Sequence, residues 1–176
     1  AADPRNFTAL HLLGLVRRQQ GRPEEALGFF TEALRLAPRS LLARENLGLA
    51  LLDLHRPEEA LAEFQLALVL KPDDRGARLA CAAALRTLGR PAEALDHLER
   101  AVAVHGEFPE ALLNRAVVLT DLERPEEALA CLDHLQANAE GALNSDDPEY
   151  VHQLRVVCRR LRAALALFSP ALPSAL

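Results

Sequence analysis

Methionine and tryptophan are absent from the 176 residues, tyrosine occurs once, and aromatic residues make up only 4% of the chain. So few large flat side chains suit helices stacked through small residues better than a sandwich of sheets. There are only three cysteines, an odd number. No pair of them has metal-ligand spacing, and the six histidines do not cluster with them. A reducing compartment, and hence a cytoplasmic protein, fits that usage. No apolar run approaches the ~20 residues needed to cross a bilayer, and no signal peptide is visible, so no membrane role is expected. Serine is scarce, no glycine-rich phosphate loop occurs, and no acid, base and nucleophile come together in a recognisable motif. A non-enzymatic protein is therefore expected, with no cofactor and no metal.

What the chain does have is 50% hydrophobic content, enough to bury a sizeable core, and one hexapeptide used four times. Arg-Pro-x-Glu-Ala-Leu starts at Arg22, Arg56, Arg90 and Arg124, each 34 residues after the last. A fixed period of that size marks a stacked repeat. Proline suits the first turn of a helix, where its missing N–H has no partner to lose. Glutamate there faces the positive end of the helix dipole, and the alanine leaves room for another helix. Each copy thus opens the second helix of a two-helix unit. Glu24-Glu25 recurs with the period, which marks it as helix-start architecture rather than an acid/base pair.

The neighbouring residues keep the same phase. Asn46-Leu47-Gly48 matches Leu12-Leu13-Gly14, Phe30 matches Phe64, Ala33, Ala67 and Ala101 correspond, and Pro38 and Pro72 close two units. On these residues the chain resembles the tetratricopeptide repeat family over about residues 5–138. The turn glycine of that pattern is present as Gly21 and Gly89 but replaced by His55 and Glu123. The expected fold is all-α: a right-handed α-solenoid of four helix pairs, with units at about 7–40, 41–74, 75–108 and 109–140. Helices are expected over 7–20, 23–36, 41–54, 57–70, 75–88, 91–105, 109–122 and 125–139. Ser40 caps the second unit, and Asp73 or Asp74 the third. Cys81 falls where a leucine-like core residue belongs, so burial is expected. Ala26, Ala60, Ala94 and Ala128 should lie at close helix contacts. In the fourth unit the pattern decays, with Leu135 in place of alanine and Glu140 in place of proline. Pro4 lies 34 residues before Pro38. It reads either as the close of an earlier repeat, in a chain cut at both ends, or as a proline in a disordered lead-in.

The resemblance implies a concave groove lined by the first helix of each pair. Its positions here are Thr8, His11, Leu15 and Arg18, then Leu42, Glu45, Leu49 and Leu52, then Leu79, Ala83 and Arg86, then Leu113, Val117 and Thr120. The groove is mostly apolar and lacks the paired lysine and asparagine with which some members clamp a C-terminal carboxylate. In long members an asparagine just before the Leu-Gly position reaches a bound peptide backbone, for which an amide offers donor and acceptor together. Asn46 and Asn114 match that position, while Leu12 and Ala80 break the ladder. They are peptide contacts or tolerated exposed polar residues. The expected partner is a protein or peptide.

Charge divides the chain. The total is −5, but from residue 148 onward four arginines face one glutamate, leaving 16 basic and 24 acidic residues before it. Gly141, Asn144, Ser145, Asp146 and Asp147 make 141–147 a turn-rich linker. A helix of roughly 30 Å follows from Pro148 to about Phe168. Val151, Leu154, Cys158, Leu161, Leu165 and Phe168 form an apolar seam, with His152, Arg155, Arg159 and Arg162 on the adjacent stripe. Arginine's planar fork suits phosphate, and a protonatable histidine adds charge near neutral pH. These residues resemble the opening helix of the conserved histidine α-helical domain, CHAD, with Cys158 standing where an aliphatic residue is usual. That resemblance implies that 148–176 is the truncated start of a polyphosphate-binding helical domain, able to bind only weakly by itself. The alternatives are a helix that merely caps the repeats, and a repeat arm regulating an enzyme such as a glycosyltransferase whose catalytic domain lies elsewhere. Nucleic acid is not an expected partner, because the bulk of the chain is acidic.

Overall fold

The computed structural model describes residues 6–141 and, beyond them, 156, 158, 159 and 163. Among the described residues there are eight α-helices and no strand: α1 (Phe7–Gln19), α2 (Pro23–Leu36), α3 (Leu41–Asp53), α4 (Pro57–Leu70), α5 (Arg75–Thr87), α6 (Pro91–His105), α7 (Pro109–Asp121) and α8 (Pro125–Gly141). Each second helix begins at the proline of the hexapeptide, as the period requires. The chain forms two compact units, residues 1–90 with α1 to α5 and residues 91–176 with α6 to α8. In the first unit each helix packs on the next, and α3 also touches α1 and α5. In the second unit α7 packs on both α6 and α8.

The starts of the first helices are built from local sequence. Asn6, Ser40 and Asp74 stand one period apart. Their side chains accept the N–H of Thr8 at 2.8 Å, Ala43 at 3.3 Å and Ala77 at 3.0 Å, which satisfies amides that have no partner within the helix. The cap of the third unit is thus Asp74. In the fourth unit Phe108 holds this position without a side-chain cap, and Pro109 takes the first helical place.

The turns inside the pairs are equally regular. Gly21, His55, Gly89 and Glu123 all have positive φ, between 56° and 71°. After each of them the arginine N–H reaches back to the last turn of the first helix: Arg22 to Arg17 O, Arg56 to Leu51 O, Arg90 to Leu85 O and Arg124 to Leu119 O, each at 2.9 Å. This six-residue closure is a Schellman motif. The residues replacing the turn glycine change the side chain but not the path of the backbone.

The core is made of small residues filled by a few large ones. Ala26, Ala60, Ala94 and Ala128 have no exposed surface, nor do Ala33, Ala67 and Ala101. Leu10, Ala33 and Ala43 form one cluster joining α1, α2 and α3, with Phe7, Phe29 and Leu34 packed against it. Gly14 and Gly48 let the rings of Phe30 and Phe64 lie directly against the first helix, since a β-carbon on either glycine would overlap the ring. The third and fourth repeats carry Ala82 and Ala116 in place of glycine and Leu98 and Leu132 in place of phenylalanine, all buried. Where the first helix gains a methyl group, the second gives up a ring. Cys81 is fully buried as expected, and so is Leu135.

Candidate functional site

The first helices carry the candidate face. In the first unit α1, α3 and α5 lie in order along it. Of the residues singled out by sequence, Thr8, Leu42, Ala83 and Arg86 are exposed or nearly so, and Leu15, Arg18, Glu45, Leu49, Leu52 and Leu79 are half-buried. Leu42 stands out at 52% exposure for a large apolar side chain. In the second unit α7 presents Leu113, Asn114, Val117 and Thr120, all half-buried. Asn114 Nδ2 donates to Glu110 O at 2.8 Å, and Thr120 Oγ1 to Ala116 O at 2.9 Å.

His11 and Asn46 behave differently from their neighbours, because both are buried. Asn46 Nδ2 donates to Leu42 O at 2.8 Å and lies 3.0 Å from His11 Nε2. An amide nitrogen can only donate, so the ring accepts at Nε2 and carries its proton on Nδ1. His11 stacks on Phe7 at 5.9 Å and tilts against Phe30 at 5.8 Å. Burial lowers its pKa from the usual histidine value, which keeps the ring neutral at pH 7. Asn46 is therefore neither exposed nor free to donate. It is a strut tying α3 to α1, with its carbonyl oxygen left as an acceptor.

Charges on this face are also paired. Arg18 Nε meets Asp53 Oδ2 at 2.6 Å, joining the ends of α1 and α3. Arg44 bridges Glu63 at 2.8 Å and donates to Pro38 O at 2.8 Å. Glu45 is raised to about 7, first by burial and then by the Asp74 carboxylate beside it, with Lys71 acting in the opposite direction.

Sequence reasoning did not foresee a second job for the hexapeptide. Arg56 grips Glu59 through two bonds of 2.6 and 2.8 Å, Arg124 grips Glu127 at 2.6 and 2.7 Å, and Arg22 pairs with Glu25. The hydrogen bond holds Glu59 and Glu127 below the usual carboxylate range. The Arg-x-x-Glu spacing recurs in every copy, so the signal was available: residues three apart share a helix face.

On the C-terminal stripe, Arg159 is exposed, while Cys158 of the seam is buried at 3% exposure. His152, Arg155 and Arg162 lie outside the described residues. Among the described residues, no group of histidine, cysteine and acidic side chains is arranged to hold a metal ion, and no helix is long and apolar enough to cross a membrane.

Two family matches cover the chain: tetratricopeptide repeat over residues 4–141 and CHAD domain over residues 126–176. They share α8, so the CHAD match begins inside the fourth repeat and not at the linker. No curated protein matches the chain. Solved structures do. TTC0263, a thermophilic TPR protein of Thermus thermophilus, is 21% identical with a TM-score of 0.69, covering 94% of this chain and 93% of that one. YrrB, described as a TPR protein with an unusual peptide-binding site, is 19% identical with a TM-score of 0.66, covering 96% and 93%. The first TPR of Spaghetti (RPAP3), bound to the HSP90 peptide SRMEEVD, is 22% identical with a TM-score of 0.63, covering 69% and 96%. At these identities the likeness is one of fold. With four in-phase repeats and a family match across residues 4–141, the chain belongs to the tetratricopeptide repeat family.

Proposed function

We propose that this chain is a non-enzymatic scaffold that receives an apolar protein segment on its first-helix faces and a polyphosphate chain on its C-terminal basic stripe. The observation that carries the first part is the exposure of apolar side chains beside polar groups that are already paired. Leu42 is 52% exposed beside half-buried Leu15, Leu49 and Leu52, while the nearby polar groups His11, Asn46, Arg18 and Asp53 are bonded to one another. A partner gains by covering the leucines and loses little by desolvating polar groups already paired. Leu79 and Ala83 continue this surface on α5, and Asn114 and Val117 supply the equivalent positions on α7. Asn46 contributes only an acceptor, for a peptide N–H. That solved relatives of this fold hold peptides supports the reading.

The second part rests on the CHAD match and on the exposed Arg159 beside the buried Cys158. By their 3-4-3 spacing in the sequence, His152, Arg155, Arg159 and Arg162 would fall on one line of a helix and meet successive phosphates. The three cysteines are free and buried, which accords with a reducing, cytoplasmic setting.

The peptide reading is tested by selecting binders from a displayed library of short peptides and titrating the best one into the wild-type chain and Leu42→Asp/Leu49→Asp. Apolar consensus peptides, with affinity abolished in the double variant, are the expected result. Unchanged affinity in a folded double variant moves the site elsewhere and overturns the reading.

A further inference from the structure

We propose that the joint between the second and third repeats is a proton-operated latch, in which the Glu45 carboxyl on α3 bonds to the Asp74 carboxylate that caps α5 and lets go when its proton leaves. The geometry is specific. Asp74 Oδ1 accepts the Ala77 N–H at 3.0 Å, and Oδ2 accepts Lys71 Nζ at 2.9 Å. Asp74 is thus a carboxylate already held by two donors. The backbone at Gly76 lies beneath it. A β-carbon built there would sit 3.2 Å from Glu45 Oε1 and 3.3 Å from Asp74 Oδ1, so both carboxyl groups border the same small space over Gly76. Glu45 Oε1 is buried and receives no hydrogen bond. Two acceptor oxygens brought together without a donor repel each other unless one carries a proton.

The titration behaviour agrees. Burial, the Asp74 hydrogen bond and the Asp74 charge raise Glu45 to about 7, against a smaller pull from Lys71. Burial acts upward on Asp74 too, but hydrogen bonds from Lys71, the Ala77 amide and Glu45 hold it below its usual value. Of the other charged groups on the elements around α3, Arg17 of α1 pairs with Glu25 of α2, Arg18 of α1 with Asp53, Arg35 with Glu32 on α2, and Glu63 of α4 with Arg44. On α5 the cations are Arg75, Arg78 and Arg86, and the charges acting on Glu45 are those of Asp74 and Lys71. Glu45 is therefore the proton carrier. Its folded value lies above its free one, so the contribution is complete at acid pH and disappears as pH rises through about 7. One period earlier the joint is built differently. His11 and Ser40 hold the equivalent positions there, and His11 turns to Asn46 instead.

Hydrogen exchange at the first-turn amides of α5, Ala77 above all, tests the latch at about pH 6 and about pH 8.5, after correction for the intrinsic pH dependence of exchange. Protection of these amides should fall by roughly tenfold at the higher pH, relative to the first-turn amides of α3. Glu45→Gln, whose amide donates to Asp74 at any pH, should keep protection at both. Equal protection at both pH values in the wild type overturns the proposal, as does a Glu45→Gln chain that stays pH-sensitive. Should that variant not fold, carboxyl carbon-13 titration of the wild-type chain decides. A Glu45 midpoint near neutrality supports the latch, and one in the ordinary glutamate range overturns it.

Discussion

Gly21, His55, Gly89 and Glu123 stand one repeat apart and share a left-handed backbone, with φ of 71°, 56°, 69° and 56°. For a residue with a β-carbon that conformation costs roughly 1–2 kcal/mol, partly offset because glycine loses more freedom on folding. His55→Gly and Glu123→Gly should each therefore stabilise the fold by about 0.5–1 kcal/mol, whereas Gly21→Ala should destabilise it. Denaturant midpoints of the three variants check this, and a loss of stability in either glycine variant would contradict it. From sequence, His55 and Glu123 look like departures from the pattern. They are departures in residue type only, because the Schellman closure fixes the conformation whatever side chain is present. His11 shows the opposite limit. The family resemblance implied a groove position for it, but its burial was not legible, because that depends on Phe7, Phe30 and Asn46 meeting around it. Since burial lowers its pKa, the unfolded chain binds that proton more readily. The contribution of His11 to stability should fall as pH drops below about 6.5, opposite in sign to that of Glu45, and His11→Phe should blunt that loss. An acid limb unchanged in His11→Phe would assign the loss to other groups.

At the scale of the helix, small residues set how closely neighbours approach. Ala60 of α4 has no exposed surface, and α4 packs on α3 and α5, so Ala60→Leu should overpack the joint and cost ~1–3 kcal/mol. The glycine–phenylalanine pairs make a sharper test. Gly48→Ala drives a methyl group into the Phe64 ring and should destabilise by a similar ~1–3 kcal/mol. Adding Phe64→Leu recreates the alanine–leucine combination of the later repeats. The double variant should then be better than the sum of the singles by about 0.5–3 kcal/mol. Strict additivity in thermal or denaturant unfolding would show that the two positions do not share a packing constraint. Element positions were readable in the sequence to within a residue or two, because proline, caps and hydrophobic spacing repeat with the same phase. The exchange of ring for methyl group was harder to see, since it links two helices through space and not through local pattern. The arginine–glutamate fork was missed for another reason. Dipole and capping arguments already explained the glutamate, and nothing local asked what the arginine did.

Across the whole molecule, composition and period together specify an all-α repeat protein, and the charge division is the sequence feature on which the polyphosphate proposal draws. The acidic bulk of the chain and its net charge of −5 oppose any loose attraction of polyanions, so binding there has to come from a local line of cations. If the histidine of the stripe lies within reach of phosphate, affinity for polyphosphate should rise as pH falls toward about 6. The apolar leucines of α3 should have no part in it. The most direct test is one titration of inorganic polyphosphate into three chains: wild type, Arg155→Glu/Arg159→Glu and Leu42→Asp/Leu49→Asp. It should be run at about 50 and about 200 mM salt, a range over which counterions compete visibly with arginine for phosphate. Wild type and the leucine variant are expected to bind alike, weakly at the lower salt and about tenfold or more weaker still at the higher. The arginine variant should bind little at either while keeping its helical content. Equal binding by the arginine variant and the wild type would contradict the polyphosphate assignment and leave the C-terminal helix as a cap on the repeats.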